Sequence, residues 1–246
     1  MTQNERRQNI LNILKDTKVM ETSKLCKKLF CSESTLRRDL LKLEEDNLII
    51  RKYGKVALAS TQYYEFSYFF RETENIQEKQ YISQIAKDFL LEGQVLFLDS
   101  SSTLDSLCNY MSDKHFTVVT NCLKKAINLR SYQNVQVFLA GGTVKLNSTS
   151  VLGDFSRDFF SNFTADIAFI SCSGIDPQGF YESDYLQGIV KRQMIKYAKK
   201  IILVADNSKV DMAGFFKTAS FCDIDVLVTN APLPIYYKEI DCQVLF

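Results

Sequence analysis

Apolar residues recur at helical spacing three times near the start of the chain. Ile10, Ile13 and Leu14 form a stripe between Asn4 and Lys15, with Arg6 and Arg7 ahead of it. Leu25, Cys26 and Leu29 form a second, shorter stripe that Thr22 or Ser23 can cap. Ser32 then caps a third helix, whose apolar stripe is Leu36, Leu40 and Leu43 and whose other side carries Glu33, Ser34, Arg37, Arg38 and Lys42. Residues 48–58 (LIIRKYGKVAL) read as two extended runs about a glycine, with Arg51, Lys52 and Lys55 near the tip. Three helices and a basic hairpin in this order are the parts of a winged helix-turn-helix, spanning residues 1–58 with the helix-turn-helix at about 20–39.

Beyond residue 58 the pattern changes. Tyr63, Tyr64, Phe66, Tyr68, Phe69 and Phe70 place six aromatics in eight positions. Left exposed, such a cluster promotes association, so it is read as packing between domains or subunits. Base stacking is the weaker reading, because the run lacks interleaved cations. Residues 59–75 thus form an aromatic-rich linker, and a helix follows that ends before Gly93.

From 95 onward, short apolar runs alternate with helical stretches. Strands are expected at 95–98, 116–119, 135–140, 167–171, 201–205 and 226–229, with a short one at 243–246. Helices are expected near 104–111, 123–129, 155–163 and 189–198. Continuous apolar strands joined by helices indicate an α/β domain, 76–246, with a mostly parallel sheet covered on both faces.

Charge supports the division. The whole chain has 30 Lys+Arg against 29 Asp+Glu, a net of +1 that speaks against a polyanion partner. Residues 1–60, however, hold 13 of those cations and 8 of the anions, so this segment carries +5 and the remainder −4. A basic head on a mildly acidic body suits nucleic acid at the head alone. The chain has 7 cysteines and no CxxC pair, and an odd count argues against a disulfide framework. With no apolar signal core and no run approaching ~20 apolar residues, a cytoplasmic protein without membrane association is expected.

The head's polar residues fit duplex DNA. Short side chains at the start of the third helix, Ser34 and Thr35, can reach base edges in a major groove, while Arg37 and Arg38 offer guanidinium forks to guanine or phosphate. Lys42 on the same side, and Arg51, Lys52 and Lys55 on the hairpin, suit phosphates or a neighbouring groove. One recognition helix per chain implies paired heads, hence a homodimer or homotetramer, on half-sites about 34–36 Å apart. The rival reading is a helical protein-docking module with a solvated basic face.

In the body, polar residues gather just past the strands, where parallel sheets bind ligands. These are Asp99, Ser100, Ser101, Ser102 and Thr103; Thr120 and Asn121; Gly141 and Gly142; Ser171–Gly174; and Asp206–Lys209. Hydroxyls and backbone N–H groups ahead of a helix suit an anion. Asp99 and Asp206 can accept from sugar hydroxyls, Gly141-Gly142 allows close backbone approach, and Lys145, Lys191 and Lys209 are candidate cations for a phosphate. Together they describe a site for a small, hydroxylated, phosphorylated molecule. The alternative is an isomerase-like enzyme with Asp99 or Asp206 as base. The lone His115 precedes a strand and is read as a surface residue, and no metal-ligand spacing is present.

ERRQNILNIL followed by SESTLRRDLLKLEEDNLIIRKYGKVAL resembles the N-terminal domain of DeoR-family (deoxyribose-operon repressor type) transcription regulators. DSSST, VVTN, LAGG, VLGD, DIAFISCSGID, VKRQMI, LVADNSK and DIDVLVT resemble successive blocks of that family's sensor domain. Phe30 stands where a turn glycine is common, Tyr53-Gly54-Lys55 replaces His-Gly-Gly, Ser101-Ser102 replaces Gly-Thr, and Gln187 stands for a glutamate. The resemblance implies a sensor fold like that of sugar-phosphate isomerases and no catalysis or cofactor. It implies operator DNA and a phosphorylated sugar as partners, effector roles for Asp99–Thr103, Lys191, Asp206 and Lys209, and, by family habit, repression of a carbohydrate-metabolism operon.

Overall fold

The computed structural model describes residues 2–17, 19–46, 48–52, 54–59 and 68–246, with only the backbone of Lys15, Asp16, Lys52, Phe69 and Phe70. The chain divides into two compact units, 1–70 and 71–246.

The first unit runs α1 (Gln3–Thr17), β1 (Val19–Glu21), α2 (Thr22–Lys28), α3 (Glu33–Glu45), β2 (Ile49–Lys52) and β3 (Lys55–Leu58), ending in the short α4 (Tyr68–Arg71) that leads into the second unit. Its core is the three expected stripes plus the wing: Ile10, Leu11, Leu14, Leu25, Leu29, Leu36, Leu40, Leu43, Leu48, Ile49 and Val56. Ser32 caps α3 by accepting from the Thr35 N–H. The expected side-chain cap of α2 is absent. β1, which has no signal of its own, pairs with β3 through Glu21↔Lys55 and carries Thr22 to the wing tip. There both the Thr22 N–H and its Oγ1 donate to the Gly54 carbonyl, at 2.9 and 3.0 Å. Of the aromatic cluster, Tyr63, Tyr64 and Phe66 lie outside the described residues, as does the Tyr53 of the hairpin.

The second unit comprises α5 (Ile76–Ala86), β4 (Val95–Leu98), β5 (Phe116–Thr120), α6 (Leu123–Leu129), β6 (Val135–Leu139), β7 (Thr143–Val144), β8 (Val151–Leu152), α7 (Asp154–Phe159), β9 (Ala165–Ser171), β10 (Gly174–Asp176), β11 (Gly179–Glu182), α8 (Tyr185–Lys196), β12 (Ala198–Val204), β13 (Phe216–Ala219), β14 (Val226–Val228) and β15 (Gln243–Leu245). Seven strands form one sheet in the order β15-β14-β12-β9-β4-β5-β6, every pair parallel. Alternate residues serve opposite faces. Leu96, Leu98, Ile202 and Val204 pack with Ile82 and Ala86 of α5, whereas Phe97, Ile201 and Leu203 pack with Val190 and Met194 of α8. The helix expected at 104–111 is instead two 3-10 segments, 102–104 and 106–111. The one expected at 155–163 is α7 with a 3-10 turn at 160–162. Two additions had no sequence signal: the antiparallel sheet β10-β11-β13 and the β7-β8 pair.

Candidate functional site

Two polar regions answer to the sequence expectations. On the first unit, Arg37 and Arg38 are exposed on α3, and neither has an ion pair among the described residues. Ser34 and Thr35 both hydrogen-bond the Ser32 Oγ, at 3.0 and 2.8 Å, so the cap holds them at the helix start. Two of the other expected cations have partners on their own unit. Lys42 pairs with Glu45 and Asp46 at 3.5 and 3.3 Å, and Arg51 with Glu44 at 3.3 Å. Lys55 is exposed on β3; the Lys52 side chain is outside the described residues. Behind this surface Asp39, fully buried, accepts from the Arg6 Nε of α1 at 2.5 Å.

On the second unit, the residues past β4 close on themselves. Asp99 Oδ1 accepts from the Ser101 N–H and Oγ at 2.8 and 2.5 Å. Its Oδ2 accepts from the Ser171 N–H at 2.8 Å and faces Lys191 Nζ at 3.0 Å. Four donors fill the carboxylate's acceptor sites, so Asp99 organises the loop from within. Lys191 also meets Glu182 of β11 and the Ser171 carbonyl. Burial works against a charged Asp99, but the Lys191 and Lys125 ammoniums and these hydrogen bonds hold its pKa below the usual aspartate range. Burial would likewise depress Lys191; Asp99 and Glu182 outweigh it and raise its pKa. α8 is positioned for this by Gly188, where a Cβ would meet the Phe216 ring of β13 at 2.2 Å.

Ser100, Ser101, Ser102 and Thr103 are all buried. Ser100 Oγ accepts from Ser150 at 2.7 Å, and Thr103 Oγ1 from Ser171 Oγ at 3.3 Å. Lys125 of α6 donates to the Ser101 carbonyl at 2.6 Å and to Asp105 at 2.8 Å. Lys79 of α5 donates to Ser102 Oγ at 3.2 Å. Thr120 Oγ1 is spent on the Leu98 carbonyl at 2.7 Å. Asn121 donates to the Val151 carbonyl, and its buried Oδ1 has no hydrogen-bond partner among the described residues. Asp206 Oδ1 accepts from Asn75 at 3.1 Å, while its Oδ2 is buried and also has no partner among the described residues. Lys209 has no ion pair among the described residues.

The DeoR-like helix-turn-helix domain matches residues 6–62, and the DeoR C terminal sensor domain matches residues 74–231. The chain belongs to the DeoR family. Its relatives include the HTH-type transcriptional repressor GlcR of Bacillus subtilis, 33% identical with 94% of this chain and 89% of that protein covered. Another is the glycerol-3-phosphate regulon repressor of Escherichia coli, 29% identical over 98% of this chain and 96% of that one. Among solved structures, ribose 5 phosphate isomerase A from Neisseria gonorrhoeae aligns at TM-score 0.40 and 15% identity over 54% of this chain and 52% of that one. A likeness at that level carries no functional argument.

This DeoR-family protein is therefore a DNA-binding transcriptional regulator. Of the two carboxylates offered as a base in the rival enzyme reading, Asp99 is saturated and its lowered pKa makes it a poor proton acceptor. His115, at the amino end of β5, is exposed and pairs with Glu92 at 2.7 Å. Lys145 pairs with Asp184, the N-cap of α8, at 2.9 Å. Close backbone approach at Gly142 is real, but the approaching group is the protein's own Leu152 carbonyl, 2.4 Å from where a Cβ would stand. Gly141 faces open space. Lys79, Lys125, Glu182, Asn75 and Ser150 were not singled out from the sequence. For the two lysines a signal existed: Lys79 shares the buried stripe of Ile82, Ser83 and Ala86, and Lys125 that of Leu129.

Proposed function

We propose that the protein is a sequence-specific repressor of a carbohydrate-metabolism operon, relieved by a phosphorylated sugar. The observation that carries this is the pair of buried acceptors, Asp206 Oδ2 and Asn121 Oδ1, that have no partner among the described residues, together with a closed loop of four hydroxyl residues and the ammoniums of Lys79 and Lys209, neither in an ion pair among the described residues. Buried acceptors demand donors, which sugar hydroxyls supply; hydroxyls and ammoniums demand an anion, which a phosphate supplies. Relatives named as repressors, one of a glycerol-3-phosphate regulon, support the same reading.

On the DNA side, Arg37 and Arg38, with Ser34 and Thr35, read base edges and phosphates, and the wing cations Arg51, Lys52 and Lys55 contact the backbone alongside Lys42. The protein acts in the cytoplasm as a homodimer or homotetramer, with no cofactor and no membrane partner. Effector binding relieves repression only by favouring a state of lower operator affinity. Within the sensor site Asp99, Lys191, Thr120, Gly141, Gly142 and Lys145 shape the pocket, while Ser100–Thr103, Asn121, Asp206 and Lys209 face the effector.

The test is a thermal-shift screen of the full chain against triose, pentose and hexose phosphates, followed by operator titration with each stabilising compound. A ligand at 100 times its dissociation constant adds about 2.7 kcal/mol to the folded state. The expected result is stabilisation by a phosphorylated sugar, not by its dephosphorylated form, together with release from operator DNA. An operator complex indifferent to every stabilising phosphate would count against the reading.

A further inference from the structure

The turn between α2 and α3 is built on two cysteines. α2 closes at Leu29, and Phe30 follows in the left-handed region at φ 49°. The Phe30 N–H donates to the Lys27 carbonyl at 3.3 Å, and the Cys31 N–H to the Cys26 carbonyl at 3.4 Å. These nested bonds are the Schellman closure of a helix, in which the residue two past the cap packs its side chain on the residue three before it. Here both residues are cysteine. The Cys26 thiol donates to the Cys31 carbonyl at 2.7 Å, and both side chains are half-buried against the apolar core of the unit. A disulfide spans about 4.4–6.8 Å between Cα atoms; residues joined by a direct backbone hydrogen bond lie at about that separation.

The pair stands where a small displacement reaches the recognition helix. Ser32 follows Cys31 directly and caps α3, and its Oγ bonds the hydroxyls of Ser34 and Thr35 at 3.0 and 2.8 Å. Joining the sulfurs at about 2.05 Å, well inside the contact distance of two thiols, draws Cys31 and Ser32 toward the end of α2. It also removes the Cys26 S–H, so the Cys31 carbonyl loses its donor.

We propose that Cys26 and Cys31 are a redox modification site, forming a reversible disulfide across the turn of the helix-turn-helix, and that the oxidised head binds operator DNA more weakly than the reduced one. The second half rests on the reading that the start of α3 contacts DNA. The reaction is exchange with a small disulfide of the glutathione type. The Cys26 thiolate attacks one of its sulfurs, releasing one small thiol and leaving a mixed disulfide. The Cys31 thiolate then attacks the Cys26 sulfur, closing the internal bond and releasing the second small thiol. The protein dithiol gives up two electrons and two protons, and the small disulfide takes up both as it becomes two thiols. Cys26 is the thiol that starts, because burial raises the Cys31 pKa and the Cys26 side chain raises it further, with Arg6 opposing. In the second unit burial lifts Cys108 and Cys172 to about 12, which leaves little thiolate to compete.

The experiment uses the full chain, equilibrated in glutathione buffers of increasing oxidised fraction, trapped by alkylation and mapped by mass spectrometry. The DNA probe is a duplex enriched from a random-sequence pool by the reduced protein. The expected result is a Cys26–Cys31 cross-link with the loss of two hydrogens, reversed by dithiothreitol. Oxidised protein should bind the duplex about tenfold more weakly, with affinity restored on reduction. Cys26→Ser and Cys31→Ser should each bind alike in reducing and oxidising buffer. Wild type mapped and titrated before and after dithiothreitol decides the matter even if a serine variant fails to fold. No cross-link at any poise, or separate glutathione adducts on the two cysteines, overturns the disulfide. A cross-link with affinity within twofold of the reduced protein overturns the effect on DNA and leaves the modification site standing. A pool from which reduced protein enriches no duplex overturns the reading of α3 and the effect on DNA with it, while the cross-link map still decides the disulfide.

Discussion

Arg6 of α1 donates its Nε to Asp39 Oδ2 of α3 at 2.5 Å, and Asp39 is fully buried on the side of α3 opposite the exposed Arg37 and Arg38. The recognition helix is thus fixed to α1 by a charge-assisted hydrogen bond as well as by the leucine stripe. That bond raises the Arg6 pKa above the ordinary arginine value. Replacing Asp39 with Asn keeps the shape but removes the charge. The expected cost is about 1–3 kcal/mol of head-unit stability, read as an earlier thermal transition, with weaker operator binding and unchanged sugar-phosphate binding. An unaltered transition would show that the leucine stripe alone sets the helix.

Arg37→Ala should weaken operator binding by about 1–3 kcal/mol if the guanidinium reads a base edge. If it contacts a phosphate, the salt slope should fall by about 0.9 per contact. Lys42→Ala is the internal comparison. Lys42 is paired with Glu45 and Asp46, so its removal should cost less than that of Arg37, whose side chain has no ion pair among the described residues. Equal losses for the two variants would mean that these ion pairs open on DNA.

The buried group of Asp99, Lys191 and Glu182 makes a stability prediction. Lys191→Met leaves two carboxylates buried without their shared ammonium, and such a loss costs about 3–5 kcal/mol. Adding Glu182→Gln should recover part of that. Because the Asp99 pKa is lowered, its contribution is present above the ordinary aspartate value of about 3.9 and is lost as pH falls through the lower folded value. Acid unfolding of Lys191→Met should therefore begin at higher pH than that of wild type. Coincident acid transitions would rule out the triad as the sensitive element.

Much of this architecture was legible along the chain. The leucine stripe 36, 40, 43 and the Ser32 cap place α3 correctly, and the apolar runs locate all seven strands of the parallel sheet, because both signals are local. Interactions whose partners are far apart in sequence were not legible. β1 is three residues with no pattern of its own, and it exists because β3 offers an edge. Glu182 lies in the fully buried strand β11, so its pairing with Lys191 needed the antiparallel addition that the sequence did not disclose. The strand-end polar clusters were visible as a set. Their division into saturated residues such as Asp99 and residues with one open oxygen such as Asp206 came only from hydrogen-bond geometry.

Phe30 occupies the turn before α3 at φ 49° and is 97% exposed, with no packing to offset a left-handed backbone. Glycine adopts that region without a Cβ clash, and the strain removed is about 1–2 kcal/mol. Part of this is offset by glycine's greater freedom in the unfolded chain. Phe30→Gly should therefore raise the head-unit thermal transition modestly, with operator affinity unchanged. A lower transition would show that the ring makes a stabilising contact in solution.

Lys79 gives the unliganded protein an unusual pH dependence. Its folded pKa is pushed down to about 8 from an ordinary 10.5, so between those values the unfolded chain holds a proton that the folded chain has released. Stability then rises with pH across that window, the opposite of what a paired lysine such as Lys191 contributes. Asp105, Asp206, Lys209 and Arg71 all act on this group, and other side chains titrate above pH 9, so the informative quantity is the difference between two proteins. Lys79→Met lacks the buried charge. It should melt at or above the wild-type temperature at pH 7, and its advantage should shrink between pH 8 and 10 as wild type sheds the proton. A melting difference that stays constant from pH 7 to 10 would mean that the ammonium is not desolvated in solution.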